Sequence, residues 1–109
     1  MSEKIEKIRV LNDTLRRTLV SGRVMVTSGV DVLSPETKGE ILRQVQTFTD
    51  FKESNDPHNE HDFGSIEVGG DKIFWKIDYY DKNYDYASED PADPSKTARV
   101  LTIMLAEEY

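Results

Sequence analysis

The sequence predicts a single α+β domain, with two helices packed on one face of a mainly antiparallel sheet of about four strands. Three observations predict this fold: two segments with helical apolar spacing, a pair of alternating runs joined by glycines, and a dense apolar run near the carboxyl end. The chain has 109 residues, which is the length of one domain, so we expect one domain over residues 1–109.

The first predicted helix covers residues 3–19. Its apolar residues share one face because they recur at three- and four-residue steps: Ile5, Ile8, Leu11, Leu15 and Leu19. Ser2 is placed to cap the amino end, and Arg16 and Arg17 suit the negative end of the helix dipole. Ser21-Gly22 ends the helix, and the short alternating run at residues 23–27 predicts a strand.

The second predicted helix lies within LSPETKGEILRQVQTF. Ser34 is a favourable N-cap and Pro35 suits the first helical position. The predicted buried stripe consists of Ile41, Leu42, Val45 and Phe48, with Phe51 extending it.

The clearest β signal is FGSIEVGGDKIFWKIDYYD, which contains two alternating runs around the turn Gly69-Gly70-Asp71. Side chains alternate across a strand, so one face of the second run is predicted to be core: Ile73, Trp75, Ile77 and Tyr79. Over residues 98–107, periodicity alone does not distinguish a buried strand from a short helix. The β-branched residues there favour a central strand.

Charge and composition exclude several function classes. The chain has no cysteine, which excludes a cysteine-based zinc site, a redox motif and a thiol nucleophile. The amino-terminal sequence does not resemble a signal peptide, and no run is long enough to span a membrane, so a cytoplasmic protein is expected. The net charge of −7 divides into +2 for residues 1–49 and −9 for residues 50–109. Such a surface repels nucleic acid and attracts basic protein surfaces.

The strongest candidate for a binding surface is DYYDKNYDYASEDPADP, residues 78–94, which we call the acidic segment. It carries six acidic residues against one lysine, together with four of the five tyrosines of the chain. Interfaces favour tyrosine, acid speeds encounter with a basic partner, and spaced carboxylates imitate phosphates. A solvated loop whose tyrosines fold back on the sheet is the alternative. The predicted partner-binding residues are Asp78, Tyr80, Asp81, Tyr84, Asp85, Tyr86, Glu89, Asp90 and Asp93.

Both histidines lie in NDPHNEHDFG, residues 55–64. A metal site there would use His58, Glu60, His61 and Asp62, although the histidine spacing differs from the usual helical zinc motif. A general acid–base site would pair His61 with Asp62 or Asp78. We favour a structural loop, in which Asn55 and Asp56 form side-chain turns and Pro57 fixes the backbone. No cofactor and no catalytic residue are predicted.

Four stretches together resemble a family of small uncharacterised bacterial proteins: LNDTLR…GRVMVTSGV, NDPHNEHDFG, FWKIDYYD and SEDPADPSKTARVLTIMLAEEY. The resemblance runs from about Leu11 to Tyr109. The family is found mainly in proteobacteria, often on plasmids or in phage-derived regions, and has no established activity. Asn59 stands where the family usually has glycine, and asparagine also tolerates a left-handed backbone.

We therefore expect a non-enzymatic binding protein that engages a basic, nucleic-acid-handling protein through its acidic carboxy-terminal half. The mobile-element setting implied by the resemblance suggests an antagonist of host defence, of anti-CRISPR or antirestriction type. No direct contact with nucleic acid or membrane is expected. The alternatives are a small metal-dependent or hydrolytic enzyme centred on His61, and a homodimeric accessory protein whose acidity serves only solubility.

Overall fold

The computed structural model describes residues 2–109 and confirms the predicted α+β class. Its elements follow the order α1 (Glu3–Thr18), β1 (Arg23–Val26), α2 (Ser28–Asp31), α3 (Pro35–Thr47), β2 (Phe63–Val68), β3 (Asp71–Tyr80), β4 (Ala98–Leu105) and a short 3₁₀ helix, Ala106–Glu108. Both long helices and all four strands were predicted, whereas α2 and the 3₁₀ helix were not. Within the described residues, no helix is long and apolar enough to cross a membrane.

The four strands form one sheet in the order β1-β4-β3-β2. β3 pairs antiparallel with both β2 and β4, while β1 pairs with β4 in parallel. The sheet is therefore mainly antiparallel, and β4 is a central strand, as the β-branched residues indicated. A two-residue turn, Gly69-Gly70, joins β2 to β3 with φ values of 61° and 87°, which glycine adopts without strain.

Both long helices begin at the predicted serine caps. The Ser2 hydroxyl accepts a hydrogen bond from the Ile5 amide, and the Ser34 hydroxyl accepts one from the Thr37 amide. The apolar faces of the helices pack on one face of the sheet. The core contains Leu15, Ile41, Val45, Phe48, Ile66, Ile73, Trp75, Ile77, Leu101 and Ile103.

Trp75 lies at the centre of this core and is fully buried. Its register partner on β2 is Gly64, and a Cβ atom added at Gly64 would overlap the indole ring. Glycine at this position therefore makes room for the tryptophan. The rings of Phe48 and Phe51 meet the indole edge-on, at centroid distances of 5.5 and 6.1 Å.

The carboxyl end is hydrogen-bonded to the segment that joins β1 to α2. The Glu108 carboxylate accepts hydrogen bonds from the Thr27 hydroxyl at 2.6 Å and from the Gly29 amide at 3.0 Å. These hydrogen bonds lower the pKa of Glu108, the hydroxyl of Thr27 having the largest effect. The 3₁₀ helix is thus held against the start of α2.

Candidate functional site

The acidic segment leaves the sheet at the end of β3 and returns to it at β4. Asp78 lies on the sheet face opposite the helices, where its carboxylate pairs with the Lys76 ammonium at 2.7 Å. After β3 the chain turns back on itself, because Tyr80 forms a bridge with Ala87 and the Asp81 amide donates to the Tyr86 carbonyl at 2.8 Å. The first part of the segment is therefore a small ordered hairpin.

Three carboxylates of the segment build its turns. Asp81 Oδ1 accepts from the amides of Asn83 and Asp85 at 3.0 and 3.1 Å. Asp93 Oδ1 accepts from the Ser95 hydroxyl and amide, and these hydrogen bonds lower the pKa of Asp93. Asp90 caps the Ala92 amide at 3.3 Å and pairs with Lys4 at 3.4 Å. These three carboxylates therefore stabilise the turns of the acidic segment.

Residues 82–87 and Glu89 of the segment are exposed, and we call residues 84–89 the exposed turn. The side chains of Tyr84 and Tyr86 are 43% and 77% exposed. The Asp85 carboxylate is exposed and has no ion pair or hydrogen bond with any residue from 2 to 109. Glu89 pairs only loosely with Lys96, at 3.6 Å. Tyr79, by contrast, packs against the core, so the tyrosines divide between the core and the surface.

The loop that carries the histidines is tied to α1 through His61. Its Nδ1 lies 2.9 Å from Asp13 Oδ1, and its backbone amide donates to Asp56 Oδ1 at 3.1 Å. The imidazole stacks on Phe51 with a centroid distance of 3.7 Å and an interplanar angle of 3°. Asn59 and His61 both have left-handed backbones, with φ near 59° and 56°. Asparagine tolerates this left-handed backbone.

The residues considered for a metal or acid–base site do not lie together as a single site. The carboxylates bonded to His61 belong to Asp13 and Asp56; Asp62 and Asp78 are not its partners. Asp78 lies on the opposite face of the sheet, and the burial of Asp62 together with the charge of Glu60 raises the pKa of Asp62. Across residues 2–109, no group of three histidine, aspartate or glutamate side chains is placed to hold a metal ion. His58 is exposed.

A buried polar network connects the two loops, and the sequence did not predict it. Asn12 Nδ2 donates to the Tyr79 hydroxyl at 2.7 Å, and Asn12 Oδ1 accepts from Arg99 Nε at 2.9 Å. The Tyr79 hydroxyl donates to the Glu60 carboxylate at 2.7 Å. Burial and this contact with Glu60 raise the pKa of Tyr79. Arg99 also donates to the Pro91 carbonyl, so α1 positions the histidine loop and the acidic segment together.

A second buried cation holds α1 against α3. Arg16 is only 1% exposed and donates to the carbonyls of Val45 and Phe48 and to the Asp13 carboxylate. Its guanidinium lies 5.3 Å from the ring centroids of both Phe51 and Trp75. The sequence did place Arg16 in the last helical turn. However, only its four-residue spacing from Asn12 and Ile8 could have indicated that it faces the core.

The His61 contacts make a testable prediction for stability. His61→Ala should lower the free energy of unfolding by about 1–2 kcal/mol, because it removes a hydrogen bond to the part-buried Asp13 carboxylate and the stacking on Phe51. His58→Ala is the matched control in the same loop and should change stability by less than about 0.5 kcal/mol. Urea unfolding of both variants measures the difference. Equal effects would show that His61 does not anchor the loop.

Comparison with known proteins identifies the family of the chain but no individual protein that is similar to it. Residues 26–108 match the family model described as "Protein of unknown function (DUF3768)". No curated protein and no solved structure matches the chain. The matched region contains the histidine loop, the hairpin, the whole acidic segment and β4, while α1 with Asn12 and Arg16 lies before it. Since the match covers most of the sequence, the chain belongs to the DUF3768 family of proteins of unknown function.

Proposed function

We propose that the protein is a non-enzymatic binding protein whose exposed turn engages a basic surface of a nucleic-acid-handling protein. The observation that carries this proposal is the exposure of Tyr84, Asp85 and Tyr86 on a turn held by the Asp81 carboxylate. A turn that is already ordered loses little conformational entropy on binding. The tyrosines supply contact area, and the acidic carboxy-terminal half supplies attraction for a basic partner.

The turn-building roles of Asp81, Asp90 and Asp93 narrow the proposed contact surface. Their carboxylates accept backbone hydrogen bonds, so they act on a partner mainly by supporting the turn and by their long-range field. Asp78 and Tyr80 are half-buried at the base of the segment. Direct contact is therefore assigned to the exposed turn, above all to Tyr86 and Asp85.

The resemblance to small bacterial proteins from plasmids and phage-derived regions supports a sharper version of this proposal. In that version the protein is a cytoplasmic antagonist of a host defence complex, of anti-CRISPR or antirestriction type. Defence complexes of this kind bind nucleic acid through basic surfaces, and an acidic, tyrosine-bearing turn is complementary to such a surface.

We assign His61 to the structure and not to a hydrolytic or metal-dependent active site. Its Nδ1 and its backbone amide are engaged by Asp13 and Asp56, and its ring is stacked on Phe51. Those contacts account for its conformation through packing between the loop and α1.

Charge reversal tests the proposed surface. Asp85→Lys/Glu89→Lys should reduce capture of the partner from bacterial lysate by about tenfold or more, because close charge pairs at interfaces couple strongly. The matched control is Glu67→Lys/Asp71→Lys, which makes the same change in charge at exposed positions of the β2–β3 hairpin. Quantitative mass spectrometry of the captured proteins measures the effect.

The control variant should still capture a basic, nucleic-acid-binding protein from the lysate at the wild-type level. If both double variants capture equally well, or lose capture equally, the exposed turn is not the binding surface. Circular dichroism of the two variants confirms that each is folded, as expected for substitutions at exposed positions.

A further inference from the structure

A second surface, of opposite charge, lies beside the acidic segment. Two adjoining cavities of about 470 and 160 Å³ share the lining residues Ser21, Lys82, Thr97 and Arg99. Arg23 and Tyr84 also line the larger cavity. We call the combined space the basic cleft. It lies where the connection between α1 and β1 meets the Asp81 turn and the start of β4.

The three cations of the basic cleft have no carboxylate partner. In residues 2–109, no aspartate or glutamate forms an ion pair with Arg23, Lys82 or Arg99. Asp93 lies near enough to Lys82 for their charges to interact, but the two form no ion pair. In a chain with a net charge of −7, three such cations around one cavity create a local site for an anion.

Local contacts position part of the lining of the cleft. Arg23 lies with its guanidinium carbon 4.5 Å from the centroid of the Tyr84 ring. Tyr84 has a left-handed backbone, with φ 61°, on the turn that Asp81 stabilises. The Asp81 turn therefore places both Lys82 and the ring that orients Arg23.

Arg99 forms the buried wall of the cleft and is 5% exposed. Its Nε and Nη2 donate to the neutral oxygens of Asn12 and Pro91, and Nη1 has no acceptor among the described residues. Burial lowers the pKa of Arg99, as expected for a charge that is bonded only to neutral groups. The charge of Glu60 already compensates Arg99 in part, and an anion in the cleft would add to that compensation.

We propose that the basic cleft binds the phosphate group of a small organic phosphate. Guanidinium and ammonium groups are the usual protein donors to phosphate, and the Ser21 hydroxyl, which has no partner in residues 2–109, provides a further donor. A volume of about 470 Å³ exceeds that of a phosphate ion and falls within the range of small-molecule sites, so the cleft has room for an attached organic group. The cleft shares Tyr84 and the Asp81 turn with the proposed protein-binding surface, but its ligand is a phosphate and its three cations lie outside the exposed turn.

Nuclear magnetic resonance titration tests this proposal. Inorganic phosphate, ribose 5-phosphate and adenosine monophosphate are added separately to ¹⁵N-labelled protein, with sodium chloride adjusted to keep the ionic strength constant. We expect saturable shifts of the Gly22, Lys82 and Tyr84 amides. Tighter binding of the two esters would identify an organic phosphate as the ligand, whereas tighter binding of inorganic phosphate would overturn the assignment to an organic phosphate.

Two double variants show whether the cations of the basic cleft bind the phosphate. Arg23→Gln/Lys82→Gln should weaken binding by about tenfold or more, the loss expected for at least one charged hydrogen bond. Arg43→Gln/Lys72→Gln removes the same charges at exposed positions outside the cleft and should bind like wild type. The dispersion of the amide signals in each spectrum shows whether the variant is folded. The absence of saturable shifts with all three probes, or equal weakening in both variants, would overturn the proposal.

Discussion

Replacing Trp75 with alanine should lower the free energy of unfolding by about 3–5 kcal/mol, the range for truncation of a core aromatic residue. Trp75 is fully buried, and its indole fills the space opposite Gly64 on β2. Phe48 and Phe51 pack against its edges, so its removal leaves a cavity that rigid strands cannot close. Equilibrium denaturation in guanidinium chloride measures the loss.

Phe74→Ala is the matched control for this prediction. Phe74 is the next residue on β3, points to the opposite face of the sheet and is only partly buried. Its truncation should therefore cost clearly less than that of Trp75. A cost for Trp75→Ala no larger than that for Phe74→Ala would contradict the placement of the core on the helix side of the sheet.

Replacing Arg16 with alanine should also destabilise the fold by about 3–5 kcal/mol, the cost of breaking a buried ion pair by removing one partner. The substitution leaves the carbonyls of Val45 and Phe48 without their donor at the end of α3. It also removes the charge that compensates Asp13. Thermal and urea unfolding both report the loss.

Arg17→Ala provides the comparison, because Arg17 is the adjacent residue on α1, carries the same charge and is exposed. Its side-chain removal should change the unfolding free energy by less than about 0.5 kcal/mol. If the two arginine variants were equally stable, Arg16 would not be the link between α1 and α3.

Much of the fold could be predicted from the sequence because the spacing of the apolar side chains indicates the helices and strands. The alternation of Ile73, Trp75 and Ile77 identified the core face of β3, and the glycine pair identified the hairpin. The serine caps identified where the helices begin. The parallel pairing of β1 with β4 could not be predicted, because it joins segments far apart in sequence and no local signal sets its direction.

The buried polar residues were not predicted, and this limited the prediction of the site. Asn12, Arg16 and Arg99 are ordinary polar residues in the sequence, and an apolar periodicity analysis assigns them to the surface. Asn12 and Arg16 have partners from distant segments: Tyr79 and Glu60 for Asn12, and the end of α3 for Arg16. Apart from the four-residue spacing of Arg16 from Asn12 and Ile8, these tertiary contacts have no local sequence signal.

In the acidic segment, too, the structure distinguishes residues that the composition does not. Counting acidic residues and tyrosines gave nine candidate contact residues. The structure separates the carboxylates that cap turns, such as Asp81 and Asp93, from the exposed turn that carries Asp85 and Tyr86. Variants at the exposed positions therefore test binding, whereas variants at the capping positions also perturb the loop.

Competition with nucleic acid tests most directly whether the exposed turn occupies a nucleic-acid-binding surface. The captured partner is purified and immobilised, and the binding of wild-type protein is measured by biolayer interferometry at increasing concentrations of the nucleic acid that the partner binds. We expect mutually exclusive binding, with an apparent Kd that rises in proportion to the nucleic acid concentration. An unchanged Kd, with protein and nucleic acid bound to the partner at the same time, would contradict the proposed function.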